Sequence, residues 1–250
     1  MNRGGGMYAR GQIDIDFDFR TDTPPGEDRD PDALSPTLRS YHKLLWSKPM
    51  PSGEVLDLDD TTYGHYLLHR SDERGEFSLS SDAVVASFRY LTMVQDEPEQ
   101  LKEFMHIGYT MGGMMLWPGN RVGGKTTING VRGLHPRIRD RFDLTMECIR
   151  RHYSGEDSPL RAVLARYADF FDLFVDFRGF VEFFLLQDAV TVGCDAVIFS
   201  APLRGFSTSS ATPQTMEEYR EYRQRAIAFI EARNRRIAEY CRLRALEDRS

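Results

Sequence analysis

The sequence predicts a single α+β domain, with a strand-rich N-terminal part packed on a helical C-terminal half, and three observations carry that expectation. With 250 residues, of which 41% are hydrophobic and 28% charged, the chain has enough apolar material for one large core and too much for general disorder. Period-two alternation and turn-forming dipeptides gather in the first part of the chain. Apolar residues recurring at three or four dominate the second half. No internal repeat is visible, so the expected organisation is a flexible N-terminus over 1–12 and one domain over 13–250.

Residues 1–12 are Gly-rich and polar and read as mobile. Ile13-Asp14-Ile15-Asp16-Phe17-Asp18-Phe19 alternates apolar and acidic residues, the pattern of a half-buried strand with a carboxylate face. From Thr21 to Asp32, prolines and a glycine make a turn-rich loop. Eight acids stand against Arg20 and Arg29 over 13–32, which reads as a solvated acidic face because the spacing is not that of a calcium loop. Ser35-Pro36 starts a helix to about Trp46, with Leu38, Tyr41 and Leu45 inward. Strands are expected at Glu54–Leu58 and Tyr63–Arg70, then a hairpin turn at Asp72–Gly75 and a third strand at Glu76–Ser80. Val84–Tyr90 fits strand or helix. A helix follows Pro98 and loses regularity near Gly112-Gly113, after which Met114–Trp117 is short and apolar.

Thr126-Thr127-Ile128 is β-branched and Asn129-Gly130 favours a turn, so 126–129 is expected to be extended and not to begin a helix. Arg137–Tyr153 has a helical apolar stripe. Ser158-Pro159 caps another helix, and the seven phenylalanines between 170 and 184 read as core. Ala196–Phe199 reads as a buried strand. Thr212-Pro213 opens a long C-terminal helix with the stripe Tyr219, Tyr222, Ala226, Phe229, Ile230, Ile237 and Cys241.

The most conspicuous motif, Gly119-Asn-Arg-Val-Gly-Gly124-Lys125-Thr126, matches the phosphate-binding pattern G-x-x-x-x-G-K-[ST]. That chemistry needs a helix starting at the Gly-Lys pair to lend its free amides, and the β-branched residues beyond Lys125 argue for a hairpin turn instead. Residues 121–166 carry a local charge of +5, which could draw phosphate or could be a helix face with internal pairs such as Glu147 with Arg150 or Arg151. His65 and His69 on one strand face would lie about 13 Å apart, too far to share a metal. Ser80-Ser81-Asp82 reads as a turn or cap, or as a polar site at a strand end. Cys148 falls beside the helical stripe and reads as a buried thiol.

Composition excludes several classes. The 38 acidic and 32 basic residues leave a formal charge of −6, unsuited to general duplex binding. No apolar run approaches the roughly 18 residues of a membrane helix, and MNRGGGMYARGQ offers no signal-peptide core, so a cytoplasmic location without membrane contact is expected. Cys148, Cys194 and Cys241 are too few and too widely spaced for a disulfide framework or a metal knuckle.

The segments LLWSKPMPSG at 44–53, LSSD at 79–82, WPGN at 117–120, TIN with Arg132-Gly133, and DRFDLT through CIRR at 140–151 resemble a bacterial family catalogued as a domain of unknown function, over roughly 35–240. The resemblance draws attention to Arg39, His42, Lys48, Asp82, Asn120, Arg121, Asn129, Arg132, Asp140, Arg141 and Asp143. Guanidiniums and amides on turns, with few carboxylates free for metal, suit an anionic ligand. The leading expectation is an enzyme acting on a nucleotide, NAD or nucleic-acid end, with Arg39, His42, Asn120, Arg121, Asn129 and Arg132 binding and Asp82 and Glu217 catalytic. In its concrete version, ADP-ribosyl transfer with NAD as candidate cofactor, Arg132 or Arg39 anchors the pyrophosphate, Tyr66 or Tyr109 meets the nicotinamide, and Glu217 or Glu218 acts. Against that version, Ser207-Thr208-Ser209 lies only eight residues before Glu217, too close for two separate strands. The alternative is a non-catalytic partner protein that binds through its aromatic helical half, where Arg and Tyr are frequent.

Overall fold

The computed structural model describes residues 13–26, 30–61, 66–200, 206 and 211–247; residues 1–12, His65 and Ser207–Ser209 lie outside them. A four-stranded antiparallel sheet in the order β1 (Asp59–Asp60), β2 (Leu67–Ser71), β3 (Gly75–Ala83), β4 (Met114–Pro118) occupies the N-terminal half. The helices are α1 (Pro31–Leu34), α2 (Pro36–Trp46), α3 (Thr92–Gln95), α4 (Pro98–Gly108), α5 (Ile128–Leu134), α6 (Phe142–Tyr153), α7 (Arg161–Leu164), α8 (Ala168–Asp172), α9 (Phe177–Phe183) and α10 (Met216–Glu247). The single α+β domain predicted from the sequence is what this arrangement forms.

The β2–β3 hairpin turns at Asp72–Gly75, where Gly75 takes the left-handed φ that glycine adopts freely. Every residue of β4 is buried, so the short apolar run becomes a covered strand. Ser35 accepts from the Leu38 amide and Pro36 occupies the first helical position, as that sequence signal requires. The seven phenylalanines are all buried, and Phe174 lies 5.1–5.4 Å from the rings of Phe170, Phe180, Phe183 and Phe184. Trp46 joins this cluster from α2.

Helix α10 is tied to the sheet by Arg233, whose wholly buried guanidinium donates to the carbonyls of Gly112, Met114 and Phe184. Its backbone passes so close to Gly112 that a Cβ there would stand 2.4 Å from the Ile230 carbonyl oxygen. A side chain at position 112 would therefore collide with α10, and glycine there admits that helix to the core. The expected stripe holds for Tyr219, Tyr222, Ala226, Ile230 and Ile237, whereas Phe229 and Cys241 are only partly buried.

Several elements differ from expectation. Ile13–Phe19 is not a strand: Asp14 and Asp18 carboxylates accept from the amides two residues on, and these local turns compete with a ladder. Ile13, Ile15 and Phe17 still pack on the core. Glu54–Leu58 and Ala196–Phe199 are reduced to the isolated bridges Pro49–Val55 and Val190–Val197. Val84–Tyr90 is neither strand nor helix. The helix expected from Arg137 begins only at Phe142, because Arg139 and Asp140 both take left-handed backbone that an α-helix cannot contain. Helix α10 starts at Met216 rather than at Pro213.

The expectation for 126–129 is wrong in one respect: α5 begins at Ile128, with Thr127 as its cap accepting from the Gly130 amide. Local capping outweighs the β-branched preference here. The phosphate-loop reading gains nothing from it, since Lys125 is extended, the helix starts three residues later, and β4 belongs to an antiparallel sheet. Among the described residues no helix is long and apolar enough to cross a membrane.

Candidate active site

A cavity of about 600 Å³ opens where α1, the end of β3, α5 and the 139–140 turn meet. Asp30 and Asp32 enter from α1 and its cap, Ser80, Ser81 and Asp82 from β3, Asn129 and Gly130 from α5, with Asp140 and Tyr66 completing the wall. Each position has a local cause. Asp30 caps α1 by accepting from the Asp32 amide, with Pro31 at the first helical position, and this presents the Asp32 carboxyl to β3. Pairing of Asp82 with Met115 of the buried β4 fixes the strand end that carries Ser80–Asp82. Asp140, at φ +59°, donates its amide to the Arg132 carbonyl, and the absence of a side chain at Gly133 leaves room for its carboxylate, 3.1 Å from where a Cβ would stand.

Beneath the cavity lies Arg132, fully buried. Its Nη1 donates to Asp82 Oδ2 at 2.8 Å, its Nη2 donates to the Asp140 carbonyl at 3.0 Å, and its guanidinium lies 5.4 Å over the Trp117 ring. Asp140 Oδ1 is 3.9 Å from the same Nη1. The Ala83 amide donates to Asp32 Oδ2 at 3.1 Å and to Asp82 Oδ1 at 3.0 Å, so one backbone N–H holds the two carboxyls side by side. Two carboxyls held this close disfavour the state in which both are ionised. Burial and the neighbouring Asp82 and Asp30 push the Asp32 carboxyl well above its ordinary range. Burial also raises Asp82, but Arg132 opposes it, so Asp32 is the more readily protonated of the two.

Behind the wall, the Trp46 indole N–H donates to His42 Nδ1 at 3.0 Å, and His42 Nε2 lies 2.9 Å from Ser81 Oγ. Since indole is only a donor, Nδ1 is the acceptor and Nε2 carries the proton toward Ser81. Burial, with Arg233 and Arg39 adding to it, holds His42 down to about 3, so the ring is neutral. A ring whose facing nitrogen already holds a proton cannot take one from Ser81. The pair orients a hydroxyl as donor into the cavity and does not make a serine nucleophile.

The sequence-predicted site residues are brought together only in part. Asp82 and Asn129 line the cavity, Arg132 lies under it, and His42 reaches it through Ser81. Arg39 sits beside it, donating to Asp60 and to the Tyr66 carbonyl. Asn120 and Arg121 are exposed on the 119–125 turn and do not join the cleft expected of them, and Asn120 offers its carbonyl to the Tyr167 hydroxyl. Glu217 stands in the first turn of α10 and is absent from the cavity wall. Part of the positive segment at 121–166 forms internal pairs, with Arg150 and Arg151 both on Glu147 and Arg141 on Asp143. His69 is buried, stacked on Phe77, and Cys148 is a buried thiol pushed up to about 12 by desolvation. Asp32 was not foreseen, because in sequence it is one acid among eight; the Asp30-Pro31 cap is the signal that places it. Among the described residues no three His, Cys, Asp or Glu side chains are placed to hold a metal.

Fold and site define an α+β protein with a carboxyl-lined cavity on a buried guanidinium. A family model matches residues 13–237, and the chain belongs to that family, a family of unknown function (DUF6994). Compared with curated proteins and with solved structures, it finds no significant match.

Proposed function

We propose that the protein is an enzyme that performs acid–base chemistry on the sugar part of a nucleoside, NAD or related glycoside. The observation that carries this reading is the Asp32–Asp82 carboxyl pair, held on one backbone amide above Arg132 with the Asp140 carboxylate alongside. Carboxyls in unlike environments divide into an acid and a base, and that division is what glycosyl chemistry uses. Tyr66, partly exposed at the cavity wall, offers a ring face, while Ser81 and Asn129 offer hydrogen bonds to hydroxyls. Four carboxylate positions and guanidiniums already held by Asp82 and Asp60 favour the sugar over the phosphate of a nucleotide. The seven phenylalanines between 170 and 184, with Tyr219 and Tyr222, are interior and offer a protein partner little surface.

The test is calorimetric binding of adenosine, NAD, neutral sugars and pyrophosphate to the wild type and to Asp82→Asn. Binding of a nucleoside or sugar that Asp82→Asn weakens at least tenfold, with the fold intact by circular dichroism, supports the reading. Binding of pyrophosphate alone, indifferent to Asp82→Asn, contradicts it.

A further inference from the structure

Among the described residues that line the carboxyl cavity, Tyr66 is the one aromatic side chain, and it is held in place. Its carbonyl accepts from Arg39 Nη2 at 2.8 Å and from the Thr61 hydroxyl at 3.1 Å, which fixes the backbone. Its ring lies against Gly119: a Cβ there would stand 2.6 Å from Tyr66 Cε1 and 2.8 Å from Cδ1. Gly119 is itself pinned, since its amide donates to the Ser78 carbonyl at 2.7 Å just beyond the β3–β4 pairing. Tyr66 nonetheless remains 38% exposed. A tyrosine ordered in advance loses little entropy when a flat partner covers it. In the same wall Leu134 is 74% exposed, and Gly130 and Gly133 of α5 have no side chain to fill the space.

The charge of the wall is one-sided. Asp30, Asp32, Asp82 and Asp140 line it, and among the described residues no lysine, arginine or histidine does. Arg132 beneath is engaged by Asp82, and Arg39 beside it by Asp60. One buried guanidinium against four carboxyl positions leaves the cavity negative even with one of them protonated, so an entering phosphate meets like charge.

We propose, building on the acid–base reading of this cavity, that its substrate class is the free nucleoside, with Tyr66 stacking on the base and the carboxyl wall rejecting nucleotides and NAD. The base covers the exposed ring and Leu134, while ribose hydroxyls donate to the carboxylates. A cavity of about 600 Å³ falls in the ordinary range for such ligands, roughly 300–1,000 Å³. A plain sugar has no ring to stack, and a nucleotide carries the wrong charge. Stacking of this kind senses that a base is present and not which base it is.

Calorimetric titration of adenosine and of adenosine 5′-monophosphate into the wild type, Tyr66→Ala, Tyr66→Phe, Gly119→Ala and Asp82→Asn separates this inference from the reading beneath it. Adenosine should bind the wild type at least tenfold more tightly than the monophosphate, and the gap should narrow in about 0.5 M salt, which screens the repulsion. Tyr66→Ala should weaken adenosine about tenfold, the effect expected when a stacked base loses its ring, and Tyr66→Phe less than threefold. Gly119→Ala, whose methyl displaces the ring, should weaken adenosine while leaving the fold intact by circular dichroism. Adenosine bound alike by the wild type and Tyr66→Ala, or the monophosphate bound as tightly as adenosine, overturns the proposal; the acid–base reading then still stands if Asp82→Asn weakens adenosine tenfold. Failure of adenosine to bind at all overturns the proposal too, and a neutral sugar bound in an Asp82-dependent way would then uphold the reading alone.

Discussion

Arg132 Nη1 lies 2.8 Å from Asp82 Oδ2, a pair in which the guanidinium has no exposure and the carboxylate faces a cavity. Removing one partner of such a pair leaves the other uncompensated, and the usual cost is about 3–5 kcal/mol. Arg132→Met should therefore destabilise the protein by about that amount in urea denaturation. Arg132→Lys should recover part of it, because an ammonium reaches Asp82 but cannot also hold the Asp140 carbonyl in a planar fork.

The Asp32 carboxyl imposes a pH dependence whose sign follows from its raised value. Between the ordinary carboxylate range and its raised folded value, the folded state binds more protons than the unfolded chain, so stability falls as pH rises through that window. Urea midpoints measured from pH 4 upward should show the decline in the wild type. In Asp32→Asn, where an amide can still accept from the Ala83 N–H but carries no titrating proton, this component of the decline should be absent.

His42 should stay neutral, with its proton on Nε2, from pH 5 to 8. Nitrogen-15 correlation spectra of the imidazole would report it directly, and a ring that titrates near pH 6.5 would mean that the Trp46 and Ser81 contacts do not hold.

Phe174 meets four other rings of its cluster, and Phe184 joins it to Trp46. Phe174→Ala or Phe184→Ala should each cost about 3–5 kcal/mol in chemical denaturation, the usual range for emptying a large buried site. A loss under about 1 kcal/mol at both would place the cluster outside the core.

Much of this fold was legible in the sequence where local signals and burial agree. Ser35-Pro36 gave α2, the turn before Gly75 gave the β2–β3 hairpin, and the phenylalanine spacing gave the core. Failures occurred where a polar side chain satisfied the backbone locally, as Asp14 and Asp18 do in place of a strand and Thr127 does at the start of α5. At the site, Asp82, Asn129 and Arg132 were recognisable as polar residues without a packing role. Their partners were not, because Asp32 meets Asp82 across fifty residues of chain and Asp140 depends on a left-handed backbone that no sequence pattern marks.

The carboxyl carbons of the aspartates, followed by carbon-13 NMR from pH 3 to 9 in the wild type and in Asp32→Asn, test the unlike protonation of the Asp32–Asp82 pair most directly. Two coupled resonances should appear, one of them still protonated well above pH 4, and Asp32→Asn should leave a single carboxyl at that site titrating lower beside Arg132. If every aspartate of the wild type titrates in the ordinary range near pH 4, the pair is not divided into an acid and a base and the acid–base reading of the cavity falls with it.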